Sequence, residues 1–223
     1  MVILLILHLL FVIFAGILYF ILNYILSNTF FQFHNTGGCF MKNSLSKKVA
    51  FAGFFIALGV LLPMIFHMTG FGGPIILPMH IPVLLAGFYL GGLYGLFVGF
   101  LTPLLSHFVT GMPPLSPVPM LIIMMFELSA YGFIAGILFT KTRRIFSSLI
   151  ASMVGGRIVA GGVVWLLVNL FEFGQLGAPI VFISGAVVTG LPGIVLQLFL
   201  IPILVAKLKT DLIPEETLKG AIK

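Results

Sequence analysis

Between Lys47 and Ala206 the chain is a succession of apolar stretches, and that succession restricts its fold more than any other feature. Bounded by turn residues, the stretches cover 49–66, 81–109, 118–140, 145–171 and 179–206, with a further one at 3–27. About 20 apolar residues in a helix cross the hydrocarbon core of a bilayer. Charged side chains make up 7% of the 223 residues, where a soluble domain carries about 25%. Such a chain cannot cover a surface that faces water, whereas lipid suits it. The expected fold is all-α, a polytopic bundle of transmembrane helices.

The formal charge of +6 does not point to nucleic acid, because the bases form no continuous patch. They cluster at the ends of apolar stretches as Lys47-Lys48, Lys141/Arg143/Arg144 and Lys207/Lys209, which is the pattern of cytoplasmic loops. The same pattern sets the number of crossings. Stretch 81–109 suits one tilted helix or two short ones. One crossing would place 141–144 outside. Two crossings, turning near Gly91-Gly92, return every basic cluster to the inside and leave 67–80, 110–117 and 172–178 without Lys or Arg.

Residues 41–223 then form a six-helix membrane domain with both ends cytoplasmic. Two helices of about 15 residues would each reach only about 22 Å, so they need a thinner bilayer or shielding by neighbours. Gly87, Gly91, Gly95 and Gly99 recur every four residues and permit close backbone approach. In the last stretch, Gly190-Leu-Pro-Gly193 and Pro202 predict a broken helix. Such breaks are tolerated at membrane depth only where protein or a cavity covers them, and they often mark transporter sites.

Residues 1–40 read differently. They contain no charged side chain, so they offer neither the basic start of a signal peptide nor a positive flank to orient the apolar stretch. Met41-Lys-Asn-Ser-Leu-Ser-Lys-Lys48 has the character of a cytoplasmic start. Gly37-Gly-Cys-Phe-Met41 can be encoded as a purine-rich ribosome-binding sequence followed by ATG. The expectation is translation from Met41, with 1–40 an apolar extension read through from upstream. The competing expectation is an extra N-terminal helix.

Two ionisable residues lie deep within apolar stretches, Glu127 and Arg157. Counted from the basic cluster between their stretches, their depths agree within several ångströms, at about 1.5 Å per residue. Their helices are consecutive and antiparallel, so the two can meet. Intramembrane charges are costly and face a partner or a cavity. Both readings stand: a buried pair that fixes packing, or a pair that faces a ligand, with Arg157 open to an anion and Gly155, Gly156, Gly161 and Gly162 leaving room beside it.

His67, His80 and His107 fall at or near the outer ends of their helices. No acid accompanies them and their spacing fits no zinc pattern, so they read as polar contacts or interfacial residues, with no metal site. Met79-His80 resembles the amino-terminal Met-His of nickel and cobalt uptake components, but here it is internal. The single Cys39 excludes an intrachain disulfide and a cysteine metal cluster. His67-Met-Thr-Gly-Phe-Gly-Gly-Pro74 and Thr110-Gly-Met-Pro-Pro-Leu-Ser-Pro117 are uncharged and apolar where loops normally face water. They suit either lids over a pocket or loops dipping into lipid.

Ala50, Gly53 and Ala57 form a small-residue face suited to docking another helix, inside the bundle or on a partner. An enzyme finds little support. Ser184-Gly185 resembles the serine of intramembrane proteases only faintly, and no histidine follows His107 to serve as a base. No Gly-x-x-x-x-Gly-Lys-Ser/Thr motif is present, so the chain cannot itself hydrolyse ATP by that route and no nucleotide cofactor is expected.

Lys47-Lys-Val-Ala-Phe-Ala-Gly53 with Ile56-Ala-Leu-Gly-Val-Leu-Leu-Pro63 resembles the first helix of the substrate-binding (S) components of energy-coupling factor (ECF) vitamin transporters. Leu77-Pro-Met-His-Ile-Pro-Val-Leu-Leu-Ala-Gly87, Thr110-Gly-Met-Pro-Pro114 and Phe126-Glu-Leu-Ser-Ala-Tyr-Gly132 resemble one branch of that family. The likeness covers about 41–210; the apolar extension departs from it. It implies a bacterial cell-membrane protein that captures a vitamin or precursor outside and docks on a transmembrane coupling subunit bearing two ATPases. It further implies that Gly53 and Ala57 meet the coupling subunit and that 67–80 and 110–117 cover the ligand. Glu127, Tyr131, Arg157, Trp165 and Asn169 would line the site, with His80 and His107 at its outer end. Arg157 suits a carboxylate such as pantothenate; the Met-, Phe- and Pro-rich loops suit a flat ring, pyridoxine-like or benzimidazole-like. A stand-alone secondary transporter of the same architecture is the alternative.

Overall fold

The computed structural model of the chain describes residues 45–68, 73–171 and 178–212; among them are seven helices and no strand. Residues 1–44, which carry the expectation of a start at Met41, lie outside the described residues. Helices α1 (Leu45–Met68), α4 (Gly92–Thr110), α5 (Met120–Thr142), α6 (Ile145–Phe171) and α7 (Pro179–Leu212) are each long and apolar enough to cross a bilayer. Between α1 and α4 lie the single turn α2 (Gly73–Ile76) and the short α3 (His80–Leu90). Leaving that single turn aside, the described residues form six helices, the number the basic clusters require.

Stretch 81–109 does turn at Gly91, whose φ of 96° lies where glycine carries no Cβ penalty. It divides unevenly, however, into 11 and 19 residues rather than two helices of equal length. An 11-residue helix is about 16 Å long, little more than half of a hydrocarbon core of about 30 Å. That length is tolerable because α3 is enclosed: every residue from His80 to Phe88 is buried. Shielding by neighbours is the solution this fold adopts.

Between helices in lipid the hydrophobic effect supplies little attraction, and packing must come from close van der Waals contact. The glycines provide it. Gly87 and Gly95 both lie against the backbone of Gly132, Gly99 lies against the Leu128 carbonyl, and Gly136 against the Gly92 amide. A Cβ at any of these would overlap a neighbour's main chain. The pairings make α3 parallel to α5 and α4 antiparallel to both. Phe88 and Phe139 continue the α3–α5 seam edge to face, their centroids 5.2 Å apart.

The basic clusters share one end of the bundle. Lys48 Nζ sits 5.7 Å above the Tyr94 ring, and Gly92 adjoins Ile137 near the end of α5. On α7, Gly190 lies beside Arg157 and Ile183 beside Gly161, so α6 and α7 are antiparallel. The end of α7 therefore lies alongside the start of α6, with the 141–144 cluster.

Two expectations are corrected. The last stretch is not broken: α7 runs unbroken through Gly190-Leu-Pro-Gly193 and Pro202. Each proline leaves a carbonyl one turn earlier without its amide partner, but the helical path persists. The interrupted backbone at membrane depth lies elsewhere, in residues 73–80. There α2 ends, Leu77 takes φ 52°, and His80 N–H closes a turn on the Leu77 carbonyl at 3.1 Å. This segment packs on α7, where the Gly193 Cα faces the carbonyls of Ile75 and Ile76. The glycines of α7 make a notch for a re-entrant segment, not a hinge; Pro78, Met79 and His80 are buried, Ile76 and Leu77 half-buried, and Ile75 exposed.

Candidate functional site

The second correction concerns His80. It begins α3, but α3 starts well inside the bundle. His80 Nε2 lies 3.9 Å from Glu127 Oε1, and Glu127 is seven residues, about 10 Å, below the start of α5. The re-entrant 73–79 segment carries the histidine inward from the outer end where the sequence places it.

Four of the expected residues meet at this depth. Arg157 Nη1 approaches Glu127 Oε1 to 2.8 Å, with side-chain exposures of 13% and 5%. The contact is close but out of line, so Oε1 has no aligned hydrogen-bond donor. Tyr131, one turn beyond Glu127 on α5, interacts with both members of the pair. Its ring stands edge-on to His80, with centroids 5.0 Å apart at 74°, and packs against Gly156, where a Cβ would press into it. Gly190 completes the enclosure: the point its Cβ would occupy is 3.0 Å from Leu77 Cδ1 and 3.6 Å from Arg157 Nη2.

The cluster is incompletely bonded. Both ring nitrogens of His80 and the Nε and Nη2 atoms of Arg157 are buried without a hydrogen-bond partner. An unmade bond of this kind costs about 1–3 kcal/mol, and more for a charged group. A pair serving packing alone would leave fewer donors open. Four polar side chains that converge with bonding capacity to spare are the makings of a ligand site. Among the described residues, no group of three or more His, Cys, Asp or Glu is placed to hold a metal.

The remaining candidates stand apart from the cluster. Trp165 and Asn169 share an exposed stripe of α6 with Ile158, and the Asn169 amide donates to the Trp165 carbonyl at 2.8 Å. His107 is half-buried near the end of α4, its Nδ1 2.7 Å from the Pro113 carbonyl. It tethers the 110–117 loop, which is anchored also by the Leu121 N–H donating to the Pro114 carbonyl. That loop divides: Pro113 is buried, while Met112 and Leu115 are exposed. Gly53 and Ala57 are both exposed on α1, and among the described residues nothing lies within 4 Å of where a Gly53 Cβ would stand.

Two features escaped the reading of the sequence. Gln197 on α7 is fully buried with both amide atoms unpartnered. It is the one polar side chain between Gly193 and Ala206, and a lone polar residue in an apolar stretch is a detectable signal. It lies two turns from Gly190 on the same buried face, about 10 Å further along the helix. The second is Leu77, whose left-handed φ nothing in its residue type announces, because β-region and right-handed angles are the ordinary choice for leucine.

No curated protein and no solved structure matches the chain. The family model for the ECF transporter substrate-specific component does match, over residues 47–205. That span takes in the whole bundle from the start of α1 to near the end of α7, with every residue of the buried cluster inside it. The chain is therefore a multi-pass membrane protein that belongs to the family of ECF transporter substrate-specific components.

Proposed function

We propose that the chain captures a vitamin or vitamin precursor on the outer side of the cell membrane, within the cluster of His80, Glu127, Tyr131 and Arg157. It hands that molecule to a transmembrane coupling subunit with two ATPases, which supply the energy for import; the chain itself needs no cofactor. The observation that carries the reading is the group of buried, unpartnered polar atoms at mid-depth in an apolar bundle. Loss of water from such groups is repaid only when a ligand bonds them. The shared end of the basic clusters supports cytoplasmic placement of Lys48, Lys141–Arg144 and the end of α7. The outward small-residue face with Gly53 and Ala57 suits a coupling subunit, because it lets a partner helix approach closely.

The test is native mass spectrometry of gently purified protein, followed by equilibrium binding of whatever is retained. A vitamin-sized molecule is expected, and Arg157→Ala should weaken its binding at least about tenfold, the loss of one charge-assisted bond. Persistent emptiness with no binding across a vitamin panel would count against the reading. Uptake by the chain alone, indifferent to removal of the ATPases, would instead identify a self-sufficient transporter.

A further inference from the structure

We infer that the transported molecule carries a carboxylate and that this group seats on the Nε/Nη2 edge of Arg157. The inference rests on the proposed site and narrows its substrate class. A guanidinium offers two edges, and Glu127 takes only one nitrogen, Nη1. The atoms left buried without a partner are Nε and Nη2, which lie side by side on the other edge. Their N–H bonds run parallel, the geometry that receives two oxygens of one planar acid. A single carbonyl or hydroxyl would fill half of it.

The surroundings of that edge suit an anion. Gly190 faces Nη2 with no side chain of its own: a Cβ there would stand 3.6 Å from Nη2 and 3.0 Å from Leu77 Cδ1, so glycine keeps this edge from being crowded further. Leu77, which flanks the same point, is three residues before the start of α3. That helix has no acidic residue in its first turn and no side-chain cap. Its N-terminal dipole, equivalent to about half a positive charge, therefore opens into the cluster uncompensated by its own sequence. The dipole and the guanidinium together face two carboxylates, Glu127 and the ligand's, one on each side of Arg157. A flat neutral heterocycle would leave this arrangement with positive potential to spare.

The experiment uses the full chain in phosphatidylcholine nanodiscs and measures binding of matched acids and neutral twins. The pairs are pantothenate with pantothenol, nicotinate with nicotinamide, and biotin with biotinamide; pyridoxine and dimethylbenzimidazole are added as neutral rings. At least one acid should bind, with its neutral twin roughly tenfold weaker or worse. Arg157→Lys keeps the charge and removes the fork, so acid affinity should fall by roughly ten- to a hundredfold. Gly190→Ala narrows the space beside Nη2 and should weaken the acid by a smaller factor. Glu127→Gln removes the competing carboxylate and should strengthen it, a change of sign that a purely structural role for Glu127 would not produce. Should Arg157→Lys fail to fold, the last two variants carry the test.

Tight binding of a neutral ring or neutral twin, or no binding by any acid, overturns the inference. If a neutral ring binds and Arg157→Lys or Tyr131→Phe weakens it, the cluster stands as the site and only the carboxylate is lost. If an acid binds with an affinity that none of the variants moves, the site itself is misplaced, and the inference falls with it.

Discussion

Gly53 on α1 and Gly132 on α5 occupy sequence contexts that read alike. Each belongs to a small-residue face, Ala50/Gly53/Ala57 in one case and Gly132/Gly136 in the other. In the fold they differ completely. Gly132 is sealed between two helices, with the main chains of Gly87 and Gly95 against it. Gly53 is exposed, with nothing among the described residues within 4 Å of where its Cβ would stand. Smallness is a licence for close approach, and where the approach happens depends on what the rest of the chain places opposite. The inner face holds α3 inside the bundle and so places His80 beside Glu127. The outer face is unoccupied among the described residues, and under the proposed function it meets the coupling subunit.

Replacing Gly132 by Leu should have the largest effect. The side chain would enter the backbones of α3 and α4, and the loss belongs at the upper end of the about 1–3 kcal/mol that overpacking costs. Thermal unfolding in lipid nanodiscs would register it. A melting temperature close to wild type would mean that the seam is looser than its glycine contacts require. Gly193→Ala comes next, since its methyl would push on the Ile75 and Ile76 carbonyls, 2.8 and 2.6 Å from the Cβ position. A loss of about 1 kcal/mol is expected, together with weaker ligand binding as the re-entrant segment shifts. Binding that stays intact while stability falls would separate the α7 notch from the site.

The smallest effect on folding should come from Gly53→Leu, within about 0.5 kcal/mol of wild type, as for an open position. Ligand affinity of the isolated chain should also hold. If α1 docks by this face as proposed, co-purification with a coupling subunit should be lost, because the bulky side chain would stand in the contact. A drop in stability rivalling that of Gly132→Leu would show that the α1 face is already covered within the chain, and the contrast between the two glycines would collapse.

How much of this was legible beforehand varies residue by residue. Glu127 and Arg157 announced themselves, because a charge in an apolar stretch is conspicuous and a count along two antiparallel helices sets its depth. Tyr131 entered through the resemblance alone, and the fold places it one turn from Glu127. Trp165 and Asn169 entered the same way but lie on the exposed stripe of α6, since membership of a helix does not say which way its side chains turn. His80 was misplaced in depth for a definite reason. Hydropathy marks where apolar residues begin, and a segment that re-enters the bundle before becoming helical shifts that beginning inward without changing its composition. The same limit explains α7, where Gly and Pro signalled a break although the glycines make a notch for another segment.

Read alone, the residue order decided the solvent, the number of helices, the turn at Gly91 and the gathering of basic clusters at one end. These follow from hydropathy, charge and the conformational freedom of glycine, which act at each position whatever its neighbours. The fold had to decide which small faces are sealed, how deep α3 begins and which edge of Arg157 is left open. Those depend on contacts between residues distant in the chain, and in lipid such contacts are settled by close shape rather than by a general preference for burial.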